Sequence, residues 1–391
     1  MRILQLSVSR FRSLRAVESW QPGVLNVLIG PNGSGKSNVL RAIEFLATSA
    51  QGRLARMVQS SGGMDSLIWD GRADEFDLVI RCDSKKSMLI DEQYSLRLKR
   101  LGRGGDFKVD FELFETFIGN RSAKAFLEQN GAGAWVYDEK ANDLIGADKD
   151  AVPVQETMLS LLKGPFNRNS TLTDFRSELA GMSVYQELQT NREAAIRQPT
   201  ITRHETRVDS DGQNLVSVLH TLYTADRNFK NDINDAMTAA FGPDFEELVF
   251  PPVSDQRIQM GIRWRSLQRH QSVADLSDGT LRFLFLLTVL ASPDPAPLIA
   301  IDEPETGLHP SMLPIIAEYA VQASKRAQVI FTTHSPQFLD AFTDTRPQTT
   351  VVERVDGETQ LKTLDPEQLN VWLQEYSLGS LFRSGELEAM A

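Results

Sequence analysis

The feature that most constrains this chain is the run Gly30-Pro31-Asn32-Gly33-Ser34-Gly35-Lys36-Ser37. It follows the apolar stretch Val24-Leu25-Asn26-Val27-Leu28-Ile29 and leads into Asn38-Val39-Leu40-Arg41-Ala42-Ile43. Strand, glycine-rich turn and helix therefore come in the order that a G-x-x-x-x-G-K-[ST] loop requires. The glycines let successive backbone N–H groups turn inward as an anion-binding nest. The new helix aims its positive end at the same place. Lys36 suits the β- and γ-phosphates, the Ser37 hydroxyl suits Mg²⁺, and Asn38 can reach the α-phosphate. A glycine turn that matches by chance would lack the flanking strand and amphipathic helix. A bound nucleoside triphosphate with Mg²⁺ is the expectation.

Composition narrows the partners. The chain has 391 residues, 41% hydrophobic and 24% charged, which is an ordinary globular balance with room for two or three modest domains. Its net charge of −11 gives no global basic field, so any DNA contact must come from a local patch. The single cysteine, Cys82, excludes an internal disulfide framework and a Cys-based zinc site. The longest apolar run, residues 284–291, is too short to span a bilayer, and no secretory signal is seen, so a cytoplasmic protein without membrane contact is expected.

Along the chain, residues 2–9 read as a strand that returns to Trp20, and the helix after the loop ends near Ala50. Three period-two stretches, 76–81, 94–99 and 107–113, predict an antiparallel sheet with one solvated face. Residues 156–242 turn mostly helical, with helices expected over 173–189, 214–222 and 228–241. No sustained heptad runs through them, so a compact lobe is expected and not a coiled-coil arm. Strands are expected over 248–251 and 258–264. The resulting division is 1–150, an ATPase lobe with an antiparallel subdomain; 151–247, a helical insertion lobe; and 248–391, the second ATPase part.

The second half carries matching chemistry. Pro297-Leu298-Ile299-Ala300-Ile301 reads as a buried parallel strand ending in Asp302-Glu303. Beside a phosphate loop, Asp302 can hold Mg²⁺ through water, and Glu303 can orient and deprotonate an attacking water. A further strand, 327–333, delivers His334 to the γ-phosphate. Leu276-Ser277-Asp278-Gly279-Thr280 opens another helix; Ser277 could be a plain N-cap, or with Gly279 a second anion site.

Taken in this order, the loop, 276–280, Ile301-Asp302-Glu303-Pro304 and Thr332-Thr333-His334 resemble the ATP-binding cassette ATPases. Arg10-Phe11-Arg12-Ser13, Leu276-Ser277-Asp278-Gly279-Thr280-Leu281-Arg282, residues 302–310 and Thr333-His334-Ser335-Pro336-Gln337-Phe338-Leu339 narrow the likeness to the RecF/SMC-like branch. The resemblance implies an α/β P-loop NTPase of ABC/SMC-head type: a mixed central sheet, an antiparallel β-subdomain, and a helical insertion between loop and signature. It also implies a homodimer in which Ser277 and Gly279 bind the γ-phosphate held by the other copy, with residues 305–309 at the seam. Asp278 stands where transporter cassettes usually have glycine, a variant familiar in the RecF-like branch, and puts a carboxylate near the phosphates. The resemblance also implies a glutamine on the metal, for which Gln59 is the candidate.

Two readings of the work stay open. One is ATP hydrolysis coupled to DNA, in genome maintenance or defence against phage and plasmids, with a separate nuclease or effector. The other is a regulatory ATPase that holds or releases an effector protein. A transporter subunit fits poorly, because about 240 residues separate loop and signature, enough for an extra small domain. The tail after His334 is too short for the Toprim nuclease of the OLD-type relatives, and Asp340 and Asp344 read as helix-end and turn residues. Arg97, Lys99, Arg100, Arg103 and Lys108, with Lys85-Lys86 nearby, form the best local basic patch for double-stranded DNA; the bland alternative is a solvated face.

Overall fold

The structure, a computed structural model, describes the chain except residues 85–89, 103–104, 120, 148–151, 153, 163–168, 254–255, 343–344 and 391. The chain opens with β1 (Ile3–Phe11), β2 (Leu14–Trp20), β3 (Leu25–Ile29), α1 (Lys36–Gln51) and α2 (Leu54–Ser60). Next come β4 (Glu75–Asp83), β5 (Ile90–Leu101), β6 (Asp106–Ile118), β7 (Arg121–Asn130), β8 (Gly133–Asp138) and β9 (Asp143–Ala147). The middle holds α3 (Ser170–Ala180), β10 (Ser183–Tyr185), α4 (Leu215–Ala225), α5 (Arg227–Phe241), β11 (Phe245–Val249) and β12 (Gly261–Trp264). The last third holds α6 (Asp278–Leu290), β13 (Leu298–Asp302), α7 (Leu313–Ser324), β14 (Gln328–Thr333) and α8 (Pro336–Asp340). It ends with β15 (Gln348–Val355), β16 (Glu358–Thr363) and α9 (Leu378–Ser384).

Two compact units emerge: Met1–Gly23, Ile29–Met182 and Thr350–Thr363 form one, and Val24–Leu28, Ser183–Thr349 and Leu364–Ala391 the other. In the first, an antiparallel sheet runs β2-β1-β4-β5-β6-β7-β8-β9. The three period-two stretches lie inside β4, β5 and β6. In β4 the alternation is complete, with Phe76, Leu78, Ile80 and Cys82 inward and the charged residues between them partly exposed. The inward face is closed by aromatic contacts. Phe11 and Phe76 lie 5.1 Å apart and each meets Phe45 of α1, while Phe175 of α3 packs on Phe114 at 4.5 Å and on Tyr94 at 5.9 Å. Such pairs add about 0.5–1.5 kcal/mol each to the burial of their surface.

One carboxylate is buried in this packing. Glu112 of β6 accepts hydrogen bonds from Tyr94 Oη at 2.8 Å, Met158 N at 2.7 Å and Leu159 N at 2.9 Å. Loss of water still dominates, and it pushes the Glu112 carboxyl up to about 7.

In the second unit the strands lie in the order β10-β13-β14-β3, with β10 parallel to β13 and β13 parallel to β14. Strands β13 and β14 are buried along both faces, as parallel strands covered by helices must be, and apart from Asp302 their polar members are Gln328, Thr332 and Thr333 of β14. Asn26 is buried here because its amide donates to Val329 O at 3.0 Å. The helix expected over 173–189 is shorter. It is α3, capped by Asn169 Oδ1 on Leu172 N at 3.0 Å, and it stops at Gly181. Ser183–Tyr185 then joins the parallel sheet, a strand too short to show a period of its own. Among the described residues no helix is long and apolar enough to cross a membrane.

Candidate functional site

The phosphate-loop candidate belongs to the first unit. Pro31, Asn32, Gly33 and Ser37 are exposed, while Ser34 and Lys36 are buried at 1% and 5% exposure. Lys36 Nζ curls back over the loop and donates to Gly30 O at 2.7 Å and Pro31 O at 3.0 Å. The N-cap of α1 is Gly35 itself, left-handed at φ 106°, and it offers no side chain to the first-turn N–H groups. Most other helices here are capped by a side-chain oxygen, as Asn169, Asp226, Ser277 and Ser377 show. An uncapped N-terminus with a buried ammonium beside it suits an anion. The Ser34 hydroxyl, buried and with no hydrogen-bond partner among the described residues, also fits a phosphate oxygen.

A strand from far along the chain props this loop. Thr359 of β16 donates its hydroxyl hydrogen to Ser34 O at 2.8 Å, and Thr359 N donates to Ser13 O at 2.9 Å. Ser13 Oγ lies 2.7 Å from Thr359 Oγ1 and accepts from Asn38 Nδ2 at 2.7 Å. A Cβ at Gly35 would come within 2.1 Å of Thr359 Oγ1, so only glycine fits there. Asn38, expected at the α-phosphate, thus already commits an amide hydrogen to Ser13. Thr359 was missed from sequence, since nothing local marks a threonine more than 300 residues away as part of the loop.

The second unit holds the acidic cluster. Asp302 ends β13, and Thr332 Oγ1 of β14 donates to its Oδ1. Glu303 N donates to Thr332 Oγ1 at 3.1 Å, and Glu303 holds a left-handed backbone at φ 47°, a strain that tends to persist where it serves a site. His334 Nδ1 lies 3.1 Å from Glu303 Oε1; with the carboxylate as acceptor, Nδ1 carries the hydrogen. Glu305, placed with 305–309 at a seam, turns its carboxylate inward at 8% exposure. Its Oε1 accepts from Thr333 Oγ1 at 2.6 Å and from His334 N at 3.3 Å, and burial raises its pKa. Arg282 faces the negative fields of Glu187, Glu305, Glu303 and Asp302, and burial lowers its pKa. Glu305 and Arg282 were legible only as parts of motifs and not as members of this cluster.

The signature candidate is in the same unit. Ser277 is the N-cap of α6, accepting from Thr280 N at 3.1 Å, so the plain reading of this serine is in place. Gly279 is required: a Cβ there would meet Gly307 O at 2.7 Å. The Asp278 carboxylate bonds to Arg197 at 2.6 Å.

Ser37 and Asp302 offer hydroxyl and carboxylate oxygens, the donor chemistry that Mg²⁺ prefers. Among the described residues no cluster of three or more His, Cys, Asp or Glu forms a cage for a metal. Mg²⁺ in phosphate-transfer sites needs none, because phosphates and waters supply most ligands. Gln59 lies exposed on α2, with its carbonyl accepting from Gly62 N at 3.1 Å.

Three of the four described cations of the basic patch are paired with carboxylates, and Lys99 has no ion pair among the described residues. Arg97 is paired with Asp77 at 2.6 Å, Arg100 with Asp65 and Asp74 at 2.9 Å each, and Lys108 with Asp110 at 2.7 Å. Arg103 and Lys85-Lys86 lie outside the described residues. Asp340 accepts from Gly379 N at 2.7 Å, which ties α8 to α9; Asp344 lies outside the described residues.

Comparison with known proteins bears on the family and the fold. Residues 25–340 match the family model described as "AAA domain, putative AbiEii toxin, Type IV TA system". A DNA replication and repair protein RecF from Anaeromyxobacter sp. (strain Fw109-5) is 44% identical over 59 residues, 15% of this chain and 16% of that protein. RecF from Vibrio vulnificus (strain YJ016) is 36% identical over 93 residues, 22% of this chain and 25% of that protein. The chain thus spans a quarter or less of these relatives' length. In fold it is similar to an SMC head bound to the C-winged helix domain of ScpA, with TM-score 0.57 and 16% identity, covering 95% of this chain and 100% of that one. A second SMC head, with an extended coiled coil and bound to the C-terminal domain of ScpA derived from Pyrococcus furiosus, gives TM-score 0.54 and 15% identity, covering 95% and 98%. With most of its length matched by one family model, the chain belongs to that AAA-domain family, with a local likeness to RecF and the fold of an SMC head.

Proposed function

We propose that this chain binds ATP with Mg²⁺, dimerises on it, and hydrolyses it in a cycle that moves a partner. The observation that carries hydrolysis is the Glu303–His334 pair, 3.1 Å apart at the ends of two adjacent parallel strands. Lys36, Ser34 and the N–H groups that open α1 take the phosphates, and Ser37 and Asp302 serve the metal's oxygen shell. When bound, Mg²⁺ neutralises phosphate charge and leaves the terminal phosphorus open to attack. Glu303 orients a water and takes its proton, while His334 Nδ1–H holds that carboxylate in its rotamer. Ser277 and Gly279 are assigned to the nucleotide of the second copy. The domain division given from sequence, and Gln59 as a metal neighbour, stand as part of the same proposal.

Two outputs are weighed. Coupling to DNA, in repair or in defence and with a separate nuclease, is supported by the local likeness to RecF. Holding or releasing an effector protein is supported by the ion pairs that occupy Arg97, Arg100 and Lys108 and so reduce the charge these three offer to phosphates, although Lys99 stays unpaired among the described residues. We favour the effector reading. Steady-state phosphate release with and without double-stranded DNA, with Glu303→Gln as blank, tests both levels. A Glu303-dependent rate indifferent to DNA is expected; a rate raised several-fold by DNA restores the first output. A rate equal in parent and Glu303→Gln ends the hydrolytic reading. Light scattering of Glu303→Gln with ATP should give twice the monomer mass.

A further inference from the structure

Arg197 is buried, with 7% of its side chain exposed, yet it lies far in sequence from the signature stretch. It ends the short turn Ala195–Arg197, and its Nε donates to Thr190 O at 2.6 Å. One terminal nitrogen, Nη1, donates to three carbonyls of the segment leading into α6, its two hydrogens shared among them: Val273 O at 3.2 Å, Ala274 O at 3.2 Å and Leu276 O at 2.7 Å. The other, Nη2, donates to Asp278 Oδ1 at 2.6 Å. The guanidinium fork thus spans the approach to the signature and its first helical residue. Only arginine offers that many donors in one rigid plane.

The pairing also gives Asp278 a reason. A carboxylate in the first turn is ordinarily favoured by the helix dipole, but here it would repel a triphosphate presented to the same N-terminus. The Asp278 side chain is 72% exposed, so its charge is felt outside, and Arg197 is the cation held against it. Other charges near the segment are Arg282, one turn on, which lies in the negative fields of Glu187, Glu305, Glu303 and Asp302, and Asp275, which precedes the signature.

We infer that Arg197 is the positioning residue of the signature: it fixes residues 273–278 so that Ser277 and Gly279 present the start of α6, and it cancels the Asp278 charge that would otherwise oppose an anion there. This rests on the assignment of Ser277 and Gly279 to nucleotide. It also makes the turn at residues 195–197 a handle, because anything that displaces the turn withdraws the fork from the signature.

The test uses the full chain with Arg197→Gln, Arg197→Lys and the double change Arg197→Gln/Asp278→Asn. Hydrogen exchange comes first, since it needs no activity. Arg197→Gln should speed exchange of the 274–281 amides by about tenfold, with β13 and β14 left at parent protection. Phosphate release should fall about tenfold in Arg197→Gln, less in Arg197→Lys, and recover at least in part in the double variant, where no carboxylate is left unpaired. Parent-like exchange at 274–281 overturns the inference, and so does a double variant no faster than Arg197→Gln. If Arg197→Gln does not fold, Arg197→Lys must show both effects at a parent-like melting point, or the inference fails. A parent without Glu303-dependent hydrolysis would remove the proposed function while leaving the exchange result to judge Arg197.

Discussion

Thr359 donates a buried hydrogen bond to the carbonyl oxygen of Ser34 at 2.8 Å, so the last strand of the first unit holds the middle of its phosphate loop. Replacing Thr359 by valine keeps the shape and removes the donor. A buried carbonyl left unpaired costs about 1–3 kcal/mol. Thr359→Val should therefore weaken ATP binding about tenfold, read by equilibrium titration, whereas Thr359→Ser should stay near the parent. Equal affinities in all three would show that the loop keeps its form unaided.

Glu305 holds both the hydroxyl of Thr333 and the backbone N–H of His334. Glu305→Ala strands two donors and should lower stability by about 1–3 kcal/mol in urea denaturation, with phosphate release falling as well. Glu305→Gln keeps an acceptor and removes a carboxyl that burial already disfavours as a charge, so its stability should lie near the parent. An alanine variant with parent stability and rate would leave Glu305 without a role at His334.

Gly279 faces Gly307 O with no room for a methyl group. Gly279→Ala must push one backbone off the other, at a cost of about 1–3 kcal/mol. Thermal melting should fall by several degrees and phosphate release with it. A variant as stable as the parent would mean that the stretch around Gly307 yields freely.

Glu112 makes stability depend on pH. Its carboxyl is raised from 4.5 to about 7, because burial penalises the charged form. A raised value means that the proton is held more tightly in the folded state. The stabilisation is therefore complete below about pH 4.5 and is lost as pH climbs to 7, to the extent of roughly 3 kcal/mol. Denaturant titrations at pH 5, 6, 7 and 8 should show this fall in the parent and a flatter profile in Glu112→Gln. Parallel profiles would assign the slope to other groups.

How much was legible depends on range. The phosphate loop, the strand ending in Asp302-Glu303 and the period-two strands 76–81, 94–99 and 107–113 are local patterns, and a local pattern survives without coordinates. What escaped was held by distant partners. Ser183–Tyr185 is a strand because Ile299–Ile301 runs beside it, and its own three residues carry no period. The cations at 97, 100 and 108 looked like a patch because their carboxylate partners were not known: Asp77, Asp65 and Asp74 come from elsewhere in the chain, and Asp110 gives no sign in sequence that it turns to Lys108. The inward turn of Glu305 likewise follows from Thr333 across the strands.

The bonds around Ser13 have a fixed sense. An amide nitrogen can only give and a carbonyl can only take, so the hydrogens run from Asn38 to Ser13, from Ser13 to Thr359, and from Thr359 to Ser34. During synthesis, Ser13, Ser34 and Asn38 leave the ribosome early, while Thr359 follows more than 300 residues later. The emerging chain thus carries an unfinished loop until Thr359 has been added, and contacts of such separation form late. Nucleotide binding then reports that the chain has been made and folded through Thr359, and a fragment that stops before residue 359 should bind ATP poorly even with every residue of the loop present.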